Sequence, residues 1–159
     1  MATKEQLDFF RTLYEEEDAR YEQIEGRARL YLGIITVFLA SIILKSKEVK
    51  ASAEALDVPW WLVVGEAVFL AGSLLLVVLG SLIRTYEGLT DPEKLIARYG
   101  DQLPANDEFL EDRIVDYAVA TNRNSASNDR SAAYIQIAGV ILAIAMFLML
   151  GILVVALGS

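Results

Sequence analysis

NDEFLEDRIVDYAVATNRNSASNDRSAAYIQIAGVILAIAMFLMLGILVVAL, running from Asn106 to Leu157, reads as one helix in two solvents. Its first half is polar. The second half, from Ala132 to Leu157, is about 26 residues without a charge. At about 1.5 Å per residue it reaches about 39 Å, more than the roughly 30 Å of a hydrocarbon layer. This half is expected to cross a membrane. No proline interrupts Asn128-Asp129-Arg130-Ser131-Ala132, so nothing in the local chemistry breaks the helix between water and lipid.

The whole composition agrees with that reading. Hydrophobic residues make up 55% of the 159-residue chain and the mean hydropathy is +0.40, which points to several buried spans in a small membrane protein. Cysteine and histidine are both absent, which excludes disulfides, thiolate chemistry and most zinc sites, and removes the commonest general base. No pair of aspartates lies within the apolar runs and no glycine-rich phosphate loop precedes a helix, so neither an enzymatic activity nor a cofactor is expected. The net charge of -8 discourages anionic partners as a whole, although a local arginine cluster can still hold phosphate. The N-terminal MATKEQLDFF lacks an apolar run followed by a small-residue cleavage site, so the first membrane helix is expected to act as its own insertion signal.

In chain order, residues 1–29 form a lead helix. Leu7, Phe10, Tyr14, Tyr21, Ile24, Ala28, Tyr31, Ile35, Phe38 and Ile42 recur at alternating steps of three and four, with Glu17 filling one slot, and this is a heptad seam. Glu16 with Arg20 and Glu25 with Arg29 are spaced for pairing along the helix. Residues 30–45 are the first span; its apolar window is short, and Arg29 and Lys45 anchor its ends by reaching outward. Residues 46–59 form an outer polar connection in which Asp57 is a candidate helix cap. Residues 60–84 are the second span, with Trp60, Trp61 and Arg84 as boundary anchors and with Gly65, Gly72 and Gly80 marking close helix contact. Residues 85–131 return to water, where Thr90-Asp91-Pro92-Glu93 opens a short helix that Gly100 ends, and Asn106 caps the long last helix. Residues 132–157 are the third span. The fold class is thus an all-α membrane protein with three transmembrane helices, whose long cytosolic extensions form a bundle or stalk.

Eleven of the 14 basic residues flank the N-terminal segment or follow the second span; only Lys45, Lys47 and Lys50 lie in the first connection. The side with the excess of positive charge is expected to be cytoplasmic, with the N-terminus inside and the C-terminus outside.

Two places could carry function. Glu66, ionisable within the second span, could line a water-filled path around an oligomer axis, or reach outer water or pair with Lys45 or Lys47. Gln136 is a second pore candidate, or a hydrogen-bonding contact beside Gly139 and Ala143. The other place is the polar patch of Asn122, Arg123, Asn124, Asn128 and Arg130, with Arg113 three turns earlier. Arginines beside amides could hold the phosphates and base edges of a nucleotide or oligonucleotide, or could be solvated and inter-helix contacts. Within it, Leu110, Ile114, Tyr117, Thr121, Asn124, Asn128, Ser131 and Ile135 continue the three-four spacing, and asparagine in such a seam fixes register. The acidic run Glu15 to Asp18 could meet Arg113 or Arg123, or be a solvated face.

EEEDARYEQIEGRARLYLG leading into the first span, DPEKLIARYG after the second, and EFLEDRIVDYAVATNRNSASNDRSAAYIQIA leading into the third together resemble the small transmembrane effectors of bacterial anti-phage systems. The Pycsar-type membrane effector is the nearer likeness and the SLATT membrane domain the looser one. The resemblance implies that the chain opens or disrupts the inner membrane when a nucleotide signal from a partner enzyme accumulates; because three spans do not readily enclose a water path alone, a channel is expected to need a homo-oligomer. This chain departs from that pattern in lacking a separate cyclic-nucleotide-binding fold. Sensing would fall to its cytosolic helices or to a bound partner protein. The alternative is a non-conducting anchor or adaptor.

Overall fold

The computed structural model describes residues 2–55, 58–82, 88–100 and 107–158. Regular structure among them is helical throughout: α1 (Lys4–Leu44), α2 (Ser46–Ala55), α3 (Trp60–Leu82), α4 (Pro92–Tyr99) and α5 (Asp107–Gly158). α1, α3 and α5 are each long and apolar enough to cross a membrane. α1 opens on a reciprocal cap: the Gln6 amide donates to Thr3 Oγ1 at 3.2 Å and the Thr3 amide to Gln6 Oε1 at 3.1 Å. From there its helical hydrogen bonding runs 41 residues without a break, and that of α5 runs 52. The polar connection after the first span is not irregular, because α2 occupies most of it.

The chain divides into two compact units. The first combines Met1–Gln23 with Arg84–Arg130, and the second Ile24–Ile83 with Ser131–Ser159. In the first unit α4 is fastened to α5. Asp91, not Thr90, caps α4, accepting from the Glu93 amide at 3.0 Å, and Gly100 closes it with φ 63, a conformation that glycine adopts without strain. Thr90 instead donates to Asp116 at 2.8 Å, Arg98 pairs with Asp112 at 2.8 Å, and the Tyr99 hydroxyl donates to Asp112. The Tyr99 ring meets Phe109 edge-on at 5.5 Å. Tyr14 on α1 meets Tyr117 on α5 in the same way at 5.7 Å.

The second unit holds the apolar core. Ile24, Ala28 and Ile35 of α1, Leu70 and Val77 of α3, and Ile135, Ala138, Leu142 and Ala145 of α5 form one buried cluster. On α3 the buried positions Val63, Glu66, Leu70, Ser73, Val77 and Gly80 follow steps of three and four, the period that brings one stripe of a helix onto its neighbours. Val49 and Ala53 of α2 meet Val58, Val63 and Ile152 in a smaller cluster. Outward, the same helices present Leu30, Val37, Trp61, Val68, Leu75, Leu82, Val140, Phe147 and Val154, a surface suited to hydrocarbon. Ser41 and Ser81 return their hydroxyls to the Val37 and Val77 carbonyls one turn back, which satisfies both donors within their own helices.

Helix contact is closest at two glycines. A Cβ on Gly80 would lie 3.0 Å from Tyr134 Cβ, and one on Gly139 would lie 2.7 Å from the Tyr31 hydroxyl. Gly65 and Gly72 meet nothing within 4 Å, so of the three glycines expected to mark close contact on the second span only Gly80 does so. Beside it, Ser73 donates to the Ala138 carbonyl at 2.9 Å, an inter-helix hydrogen bond worth about 0.6–2 kcal/mol in such settings.

Candidate functional site

The polar patch of α5 separates by face. Asn124 and Asn128, at seam positions, are 0% and 2% exposed, whereas Asn122, Arg123 and Arg130 point outward. Asn128 Nδ2 donates to the Glu17 carbonyl at 3.0 Å and to Glu17 Oε2 at 2.9 Å. The two partners are 111 residues apart in sequence, so this bond ties α1 to α5 within the first unit. One turn along, Arg20 Nη2 reaches Asp129 Oδ1 at 2.5 Å and Arg20 Nη1 reaches Glu17 Oε1 at 3.6 Å. The hydrogen bond to Asp129, more than the competing desolvation, holds the Arg20 guanidinium above its ordinary pKa.

Three expectations for this region change. Arg20 pairs with Glu17 and Asp129, not Glu16, because Glu17 lies on the seam and Glu16 on the exposed side. The acidic run engages α5 through Asn128, while Arg113 is 8% exposed and bonded to Asp116 at 3.0 Å, with its guanidinium 5.1 Å over the Tyr117 ring. An arginine so occupied is a structural pin, not an open anion receptor. Asn124 and Asn128, being enclosed, leave Asn122, Arg123 and Arg130 as the outward members of the candidate ligand patch. Thr121 Oγ1 and Ser131 Oγ, also on the seam, are buried without a hydrogen-bond partner among the described residues.

Glu66 is 7% exposed and belongs to the inward stripe of α3 with Leu70 and Ser73. It forms no ion pair among the described residues, and Lys45 is paired with Glu48 at 2.7 Å. Gln136 is exposed and lines a groove of about 460 Å³ together with Arg27, Tyr31 and Gly139. The expected anchors Arg29, Lys45, Trp60 and Trp61 are all exposed, with Arg29 held by Glu25 at 2.6 Å. Arg84, Asp57 and Asn106 lie outside the described residues. Among the described residues no cluster of acidic side chains could hold a metal ion.

Sequence reasoning missed Arg27 and Tyr31 as members of one groove with Gln136. The signal was present in part, since Tyr31 and Gly139 were both seen at contact positions, but nothing in either helix alone says that they face each other. Comparison of the chain with family models, with curated proteins and with solved structures finds no match in any of the three.

Proposed function

We propose that this chain is a homo-oligomeric effector of the bacterial inner membrane that opens a path for ions when a nucleotide-type signal or a partner protein acts on its polar helical unit. The observation that carries the reading is the pair of uninterrupted helices, α1 and α5, each built for water in its first part and for lipid in its second. A displacement of α5 in the polar unit has no break at which to be absorbed. The role in anti-phage defence rests on the resemblance noted above.

The inward stripe supplies the polar lining that opening would uncover. Glu66 and Ser73 on α3 and Ser131 on α5 are buried among apolar neighbours, and separation of the helices would wet them. Copies must assemble for this, since the outward side chains of the spans are apolar and three helices cannot enclose water alone. Asn122, Arg123 and Arg130 face outward at the end of the polar half and are the residues assigned to a phosphate-bearing ligand or partner. A signal that converts a 1:99 closed population to 99:1 must favour the open state by about 5.5 kcal/mol, which several equivalent copies can share.

The second reading is a non-conducting anchor or adaptor. It is favoured by the same burial of Glu66, because a closed apolar core needs no path. Ion flux separates the two: the purified chain in liposomes, with and without cyclic and linear oligonucleotides, leaks on addition of signal under the first reading and remains tight under the second. Glu66→Gln should then change the cation preference of the flux. An unaltered preference removes Glu66 from the lining.

A further inference from the structure

The groove between α1 and α5 in the second unit has a split character. Its floor and far end, Ile135, Val140 and Ala143, are apolar, while Arg27 and Gln136 place polar groups at its near end and the Tyr31 hydroxyl lies deeper, beside Gly139. None of these three is hydrogen-bonded or ion-paired among the described residues. Arg27 is exposed, and it contrasts with its neighbour Arg29, whose guanidinium is held by Glu25 at 2.6 Å and which opens onto a second groove that is otherwise apolar. In sequence, Arg27 and Arg29 are the last charges before the uncharged run 30–44, and Arg130 is the last before 132–157. Residues at that place in a span sit where a bilayer passes from headgroup to hydrocarbon.

We infer that this groove is a binding site for an anionic phospholipid, with the headgroup phosphate on Arg27 and an acyl chain laid along Ile135, Val140 and Ala143. Gln136 at the polar end and the Tyr31 hydroxyl beside Gly139 supply an amide and, deeper, a hydroxyl, which suits the ester and glycerol oxygens below a phosphate. The charge complementarity is local: although the net charge of the chain is -8, Arg27 is a cation that no carboxylate among the described residues neutralises. The volume of about 460 Å³ lies within the range of small-molecule sites and takes a headgroup with the first part of one chain. Basic pockets between membrane helices at this depth are where anionic headgroups are held. Gly139 lets the Tyr31 ring lie in the groove, because a Cβ there would stand 2.7 Å from its hydroxyl. The inference needs only that the spans lie in a bilayer, and stands apart from the effector reading.

The test is direct binding to the purified full chain in detergent, read by native mass spectrometry or calorimetry, with dioctanoyl phosphatidylglycerol as probe. Dioctanoyl phosphatidylcholine and inorganic phosphate serve as competitors. Arg27→Gln should weaken binding about tenfold or more, the loss expected of one charge-assisted contact. Arg29→Gln, which removes the same charge from a paired position, should leave binding unchanged. Ala143→Leu fills the apolar end without altering charge and should also reduce binding; Ala143 is exposed, so the fold tolerates it. Far-UV helicity and elution volume should be those of the parent chain in all three variants. Equal loss in the Arg27 and Arg29 variants, undiminished binding by Ala143→Leu, equal competition by phosphatidylcholine or inorganic phosphate, or no binding by the parent chain would each overturn the assignment.

Discussion

Asn128 shows how a single polar side chain can hold two long helices in register. Its amide donates to both the carbonyl and the carboxylate of Glu17, so Asn128→Ala leaves the half-buried Glu17 carbonyl without that donor and its carboxylate with Arg20 alone among the described residues. Thermal unfolding in detergent should show a loss of about 1–3 kcal/mol. Asn128→Asp should be worse still at neutral pH, where it sets two carboxylates together. The neighbouring pair of Arg20 and Asp129 is 41% and 63% exposed, and solvent screening limits it to about 0–1 kcal/mol despite its short distance. Tyr99 offers a spectroscopic check on α4. Its hydroxyl donates to Asp112, which raises its pKa to about 12 from 10.0. The folded state binds this proton more tightly than the unfolded one, so the stabilisation is fully present below pH 10.0 and is lost as pH rises toward about 12. Phenolate absorbance should show a component titrating near pH 12, and Tyr99→Phe should abolish it.

At the scale of elements, the seams were legible because heptad spacing is a property of one helix at a time. Every position assigned to the α1 seam, from Leu7 to Ile42, is buried or half-buried, as is every one from Leu110 to Ile135 on α5. What a seam residue meets was not legible. Glu17 was placed correctly, but its partner across 111 residues could not be read from a period. Glycines misled for a related reason: small residues permit approach without requiring it, and only the assembled helices show that Gly80 and Gly139 are used and Gly72 is not. Gly80→Ala should therefore destabilise the chain by about 1–3 kcal/mol, because its Cβ would press on Tyr134 Cβ and Ile135, whereas Gly72→Ala should be neutral or stabilising by up to about 1 kcal/mol from helix propensity alone. Equal effects at the two sites in thermal melts would contradict this geometry. α2 escaped notice because it is polar and short, with only Val49 and Ala53 to mark an inner face.

For the whole molecule, composition and hydropathy were sufficient to find three helices able to cross a bilayer, since that depends on length and apolarity alone. Burial inside the protein adds little to those helices: only 11%, 28% and 22% of their most apolar windows are enclosed. The remainder is an exposed apolar surface suited to lipid. Expressed in bacteria, the chain should stay in the membrane pellet through alkaline carbonate washing. Reporter fusions should place the N-terminus in the cytoplasm and a tag after Ser159 outside, as the distribution of basic residues requires. A C-terminal reporter active in the cytoplasm would reverse the topology and remove the polar unit from any intracellular signal.

The contact of Tyr31 with Gly139 makes an aromatic ring the spacer between α1 and α5 in the apolar unit. Glycine leaves that ring where it lies, since even a methyl group there would stand 2.7 Å from the Tyr31 oxygen and 3.0 Å from the ring edge. Tyr31→Ala withdraws the spacer, and its mark should be an earlier thermal transition in detergent with helicity at low temperature unchanged.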